Sequence, residues 1–207
     1  MCIRDSADTA LHVTAVDGVP TTTLERTVID LALTETFESA VVAADWALAH
    51  GATKASLRAA LDELAPKQGR ARVETVIAFA EAASGSVGES FSRVIIDREG
   101  LPSPLLQARF VDAQGLIGAV DFYWPDFRLI GEFDGMEKYS STEFLGERAP
   151  SEVVTAEKIR EDRLRSTPTQ PGVTRWIWDT VHTRGALGAQ LRRAGLPSAH
   201  RLPGRSG

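Results

Sequence analysis

Cysteine is almost absent from the 207 residues: Cys2 is the only one. A single thiol closes no internal disulfide and excludes every Cys-rich zinc pattern. The four histidines, His12, His50, His182 and His200, include no pair at metal-binding spacing, so no zinc site is expected. No apolar run approaches the ~18 residues of a membrane span; the longest candidates are interrupted by Asp45, Glu74 or Glu81. A charged-then-apolar leader is also missing, and the expectation is a cytoplasmic protein. Low complexity and charge excess are excluded as well, because hydrophobic residues at 43% and charged residues at 25% are ordinary for a soluble globular chain. The length accommodates one or two domains, with a core large enough to fold without disulfides or metals.

What is present begins with an oddity. Met1-Cys2-Ile3-Arg4-Asp5-Ser6 is what an in-frame reading of a transposase adapter used in shotgun sequencing encodes. We expect residues 1–6 to be a scar on a metagenomic reading frame, with the protein's own start further upstream. Net charge is −5, unevenly spread: residues 166–207 carry six arginines against the one acid Asp179. A basic tail can touch phosphates, but a solvated helix face and a frayed end explain it equally.

The first half reads as helices. Thr22-Thr23-Leu24-Glu25 forms a capping-box pattern, with Val28, Ile29, Leu31 and Ala32 behind it. Further helices are expected over about 36–50, from Thr53 to before Pro66, and over about 71–83. Ser86-Val87-Gly88-Glu89 is a second capping box, opening a helix that ends at Gly100-Leu101-Pro102. Strands follow at 105–112, 116–124 and 127–134, then a charged helix over about 151–165, a strand at 173–178 and a closing helix over about 180–194. The expected architecture is therefore α/β (α+β): a helical subdomain over 7–85, a mixed-sheet domain over 86–196 ordered α-β-β-β-α-β-α, and a disordered tail over 197–207.

The acids in the second half draw the eye. If the hairpin turns at Pro125-Asp126, Asp121 faces Ile130, and Glu132 is its diagonal neighbour at about 7–8 Å. Asp134 falls on the same face by the two-residue repeat. Unpaired burial of several carboxylates costs several kcal/mol each by effective estimates, so they call for a cation, a proton or a basic partner.

Val120-Asp121-Phe122 followed by Ile130-Gly131-Glu132-Phe133-Asp134-Gly135 resembles the PD-(D/E)XK nuclease superfamily. More closely, it is similar to the very-short-patch-repair-endonuclease-like domain that closes actinobacterial AbiEi-type antitoxin-like proteins. Leu24 to Ala32, Glu157 to Arg165 and Arg175-Trp176-Ile177-Trp178 are similar to segments of the same proteins, so the resemblance runs from about Val19 to Leu196. It implies a restriction-endonuclease-like fold and a site in which Asp121, Glu132 and Glu89 hold Mg²⁺ or Mn²⁺. Asp134 stands where the superfamily's lysine is usual and would be a supporting ligand or base. Lys138 stands where relatives often have histidine and would stabilise phosphate charge. The run from Glu157 to Arg165 is by base rate a solvated helix with opposite charges three and four apart, and its Lys158, Arg160 and Arg163 are the candidates for phosphate contact.

Two functions follow from the resemblance. One is a Mg²⁺-dependent endodeoxyribonuclease. The other is a noncatalytic DNA-binding regulator of the antitoxin type, with a cognate toxin as partner and a winged helix-turn-helix upstream of this fragment. The residues also admit a purely structural reading. Asp134-Gly135 is a turn signal, Glu89 satisfies a helix start, and Asp121 and Glu132 could pair with Lys158 or Arg160. Trp176 and Trp178 suit the core better than a base-stacking platform.

Overall fold

The structure is a computed structural model that describes residues 12–135 and 150–197. The expected scar at 1–6, Lys138 and all but the first residue of the 197–207 tail lie outside the described residues. The chain divides into two compact units, Met1–Ala83 and Ser84–Gly207.

The first unit opens with a hairpin that the helical reading did not anticipate. Strands β1 (Val13–Val16) and β2 (Val19–Thr22) pair antiparallel, with Val16 opposite Val19. Asp17 and Gly18 make the turn with φ of 51° and 78°. Asp-Gly with both residues at positive φ is the two-residue turn that matches strand twist. Helix α1 (Leu24–Thr34) follows, capped by Thr23, whose side chain accepts from Arg26 N. The cap thus lies one residue beyond the expected box, and Glu25 instead accepts from the Ser56 hydroxyl at 2.8 Å. Helices α2 (Phe37–Ala49), α3 (Lys54–Leu64) and α4 (Arg70–Phe79) complete a bundle around Val28, Ile29, Val41, Leu57, Leu61, Val76 and Ile77.

The second unit has the expected mixed α+β order. Helix α5 (Val87–Arg98) precedes β3 (Leu105–Asp112), β4 (Gly115–Trp124) and β5 (Leu129–Phe133). Helix α6 (Pro150–Arg165) leads to β6 (Gly172–Trp176). The closing helix is broken in two, α7 (Trp178–His182) and α8 (Ala186–Arg193), because Gly185 turns left-handed with φ 77° between them. The sheet order is β3-β4-β5-β6, antiparallel until the parallel β5–β6 pair that the α6 crossover permits.

The β4–β5 register differs from expectation. A 3-10 turn at Pro125–Phe127 and a left-handed Arg128 lengthen the connection. Tyr123, not Asp121, faces Ile130, with Phe122 opposite Gly131 and Trp124 opposite Leu129.

Two apolar clusters cover the two sheet faces. Phe122, Trp124, Leu129, Phe133 and Trp176 pack with Ile96 of α5, Val181 of α7 and Leu187 and Leu191 of α8. Val120 and Ile130 pack with Leu164 of α6. The result is a helix–sheet–helix sandwich. Trp176 is 2% exposed, with its indole N–H on the Ser92 hydroxyl at 2.8 Å, which places it in the core.

Helix α5 lies unusually close to the sheet at Gly88. A Cβ there would stand 2.0–2.4 Å from the Phe133 ring. Gly88→Ala should therefore destabilise the second unit by about 1–3 kcal/mol, the usual cost of overpacking. Urea unfolding followed by tryptophan fluorescence measures this; an unchanged midpoint would contradict the close approach.

Candidate functional site

Alternation along a strand puts residues i and i+2 on one face. Strand β4 breaks that rule at Asp121: Val120 belongs to the α6-side cluster and Phe122 to the α5-side cluster. Its partner β3 does the same, with Ala108 on the α6 side and Leu106 on the α5 side. Ladder pairs run from Leu106–Phe122 to Ala108–Val120, and Gln107 and Asp121 are the residues between. Gln107 carries φ of 48°, left-handed backbone in the middle of a strand. Such a conformation costs of order 1–3 kcal/mol for a non-glycine residue and persists only when its surroundings hold it.

The inversion delivers side chains to one place. Gln107 Nε2 donates to Asp121 Oδ1 at 3.3 Å and to Glu89 Oε2 at 2.9 Å. Asp121 Oδ2 accepts from Phe133 N of β5 at 2.8 Å. Glu89, 6% exposed, also accepts from Gly85 N at 2.9 Å. Its own backbone N–H goes to the Ser86 hydroxyl, which caps α5. The glutamate is therefore held by the loop before its helix and reaches across to the sheet.

Glu132 belongs to a different set. Both its oxygens accept from Arg160 of α6, at 2.9 and 3.3 Å, and Arg175 of β6 stands 3.5 Å away. Glu132 and Arg175 are register partners in the parallel β5–β6 pair. Arg160 also donates to Ala119 O at 2.7 Å and lies over Gly118, where a Cβ would meet its Nε at 3.3 Å. Arg175 continues the network to Glu157 and, at 2.7 Å, to Glu161, which Arg165 also holds. Burial opposes the charge on Arg160, but Glu132 and Glu157 more than offset it and raise its pKa.

The expected site residues thus separate. Glu89 and Asp121 come together through Gln107, whereas Glu132 sits among arginines. Asp134 is partly buried, and its N–H extends the ladder to Trp176 O at 2.8 Å. Lys138 lies outside the described residues. Among the phosphate-contact candidates Lys158 is exposed, Arg160 holds Glu132, and Arg163 forks onto Asp112 at 2.7 and 2.8 Å. Gln107 and Gly85 escaped the sequence reading. An unbroken strand pattern over 105–112 gives no sign of a left-handed residue, and the partnership of Arg175 with Glu132 needs the parallel register.

The donor chemistry can be tested against a hard cation. Among the described residues no group of three or more His, Cys, Asp and Glu side chains stands ready to hold a metal ion. Glu132, bound by two arginines, does not fit such a role in this arrangement. Glu89 and Asp121 offer two carboxylates, oxygen donors of the kind that suits Mg²⁺, and Gly85 packs against them, since a Cβ there would come within 3.3–3.4 Å of the Glu89 carboxylate and Gln107 amide.

Comparison with known proteins adds little chemistry. Two proteins of Mycobacterium tuberculosis, "Uncharacterized protein Rv2248" of strain H37Rv and "Uncharacterized protein MT2308" of strain CDC 1551, are each 31% identical to this chain over 84 residues. The matched stretch is 41% of this chain and 31% of each relative, about a third of their length. No family model and no solved structure matches. No helix among the described residues is long and apolar enough to cross a membrane.

Two predictions follow from the network. Arg160→Ala leaves Glu132 half-paired and should cost about 1–3 kcal/mol in unfolding free energy, the range for losing a charged hydrogen-bond partner. Thermal or urea unfolding of the variant measures it, and a loss below experimental error would show the pair to be solvent-screened. The second concerns acid. Arg163 holds the Asp112 carboxyl below its ordinary range, and Arg165, then Arg175, do the same for Glu161. Carboxylates depressed in the folded state stabilise it above their unfolded pKa, and that stability is lost as pH falls through the folded value. Asp112→Asn should lower Tm at pH 7, with the difference from wild type shrinking as pH drops below about 4.

Proposed function

We propose that the second unit is a nuclease-like domain of the PD-(D/E)XK type, acting on DNA through a Mg²⁺- or Mn²⁺-dependent site. The observation that carries this reading is the inverted β3–β4 rung, which brings Asp121 to Glu89 of α5. A packed sheet has no structural need to turn a strand left-handed to gather two like charges; a site has. The helix, three strands, helix and strand order supports the same reading. Bound there, the ion would polarise a phosphate and lower the pKa of a water, supplying the nucleophile for phosphodiester hydrolysis. Glu89 and Asp121 would hold it. Glu132, which the resemblance puts with them, would join only by exchanging Arg160 and Arg175 for the ion. Asp134 would support the site, and Lys138 would stabilise phosphate charge. Lys158 is an exposed cation of α6 for backbone contact, and Arg160 and Arg163 would contribute field more than direct contacts. A cytoplasmic location accords with this role.

A second reading is favoured by the arginine pairing of Glu132 together with aspartate at position 134 in place of lysine. In it the domain is a noncatalytic part of an AbiEi-type antitoxin or transcriptional regulator, with DNA and a cognate toxin as partners.

Cleavage of supercoiled DNA with Mg²⁺ or Mn²⁺ separates the two. On the nuclease reading wild type nicks or linearises the plasmid, and Asp121→Asn loses cleavage while retaining DNA affinity, since shape is kept and charge removed. Affinity measured at two salt concentrations identifies the phosphate contribution, which weakens with salt. DNA binding with no ion-dependent cleavage would award the case to the regulator.

A further inference from the structure

We propose that a DNA backbone lies across the open α5-side face of the β3–β4 arm, with Arg109 holding one of its phosphates. The inference rests on the DNA-directed reading above and goes beyond it by moving the backbone contact off α6. Its first support is direction. Ala108 and Phe110 pack into the α6-side cluster, so Arg109 between them points to the α5 side. Its ladder partner Ala119 does the same, since Val120 faces the α6-side cluster and Arg160 of α6 lies over Gly118. Regular alternation counted from Leu106, on the α5 side, would have sent Arg109 the other way.

The second support is cover. On the α6 side of this arm Ala108, Phe110 and Ile117 are half-buried and Val120 is fully buried. The α5-side cluster stops at Leu106 and Phe122. Beyond them Arg109 and Ala119 are exposed, as are Val111 at 65% and its ladder partner Leu116 at 52%. Val111 belongs to this face because Phe110 before it and Asp112 after it both serve the α6 side. Gln107, two residues before Arg109, reaches Glu89 of α5, so the open strip adjoins the proposed site.

The third support is charge. The chain carries a net charge of −5, so a polyanion gains nothing from the overall field and must be held by local cations. Arg160, Arg163, Arg165 and Arg175 are each engaged by carboxylates. Arg109 pairs with no acid among the described residues, and its fork of donors suits two oxygens of one phosphate. Val111 and Leu116 add no negative charge beside it and offer apolar contact to the sugars.

The test is DNA binding by the whole chain, read as fluorescence anisotropy of a labelled duplex in EDTA at several salt concentrations. Without a metal ion the result does not depend on whether the site cleaves. Arg109→Ala should weaken binding about fivefold to tenfold at about 0.1 M salt and lower the salt slope by about one, the share of a single phosphate contact. Arg109→Lys should keep the slope, which guards against a folding defect in the alanine variant. Ala119→Lys should tighten binding and Ala119→Glu weaken it, because residue 119 shares that face. A slope unchanged in Arg109→Ala but lowered in Lys158→Ala returns the contact to α6 and overturns the inference, while the DNA-directed reading stands. A wild-type dimer that Val111→Glu dissociates in sedimentation also overturns it, since a second copy would then cover the face. If wild type binds no duplex even at low salt, the inference and the DNA-directed reading fall together.

Discussion

Carboxylates on the central strands of a sheet covered by helices on both faces lie where water is scarce, and each must find a partner. The second unit meets that demand in two ways. On the α6 side, Glu132 receives the guanidinium of Arg160 and the neighbouring strand's Arg175, and the charge is spread through Glu157, Glu161 and Arg165. On the α5 side, Asp121 and Glu89 share the neutral amide of Gln107 and take backbone N–H groups from Phe133 and Gly85. Arginines hold Glu132, and an amide and backbone N–H groups link Glu89 and Asp121.

The close packing around this region keeps the two sets apart. Gly88 lets α5 approach Phe133, and Gly131 lets the Trp176 and Trp124 rings meet over β5. Phe133 then packs edge-on against Trp178, so the residue whose N–H orients Asp121 is itself held by ring contacts. The strained residue at 107 is therefore bounded by a packed helix on one side and a paired strand on the other, as a persistent left-handed residue requires. Fold order and site chemistry are separable questions, because one framework can carry different sites.

Much of the architecture was legible. Strand and helix order from Ser86 onward follows from capping boxes, two-residue alternation and Gly/Pro punctuation, and these are local rules that tertiary structure seldom overturns. The β1–β2 hairpin lay outside the helical reading, although Asp17-Gly18 between valines carries its turn signal. Resemblance pointed to Glu89, Asp121 and Glu132; the structure joins the first two through Gln107 and sets Glu132 among arginines.

The sequence by itself determined the element order, the amphipathic faces and the presence of more acids than an apolar sheet can hold unaided, because each of these depends on neighbours within a few residues. Only the tertiary structure decided which acid met which partner. The turn at Pro125–Phe127 set a register that no single strand encodes, and the parallel β5–β6 pairing put Arg175 beside Glu132 across more than forty positions of chain. The left-handed turn of Gln107 has no signal in Leu105–Asp112, since a glutamine in a strand ordinarily points where alternation sends it. Its orientation is imposed by two apolar clusters on opposite faces, each claiming one of its neighbours, and that competition exists only once the sheet and both helical layers are assembled.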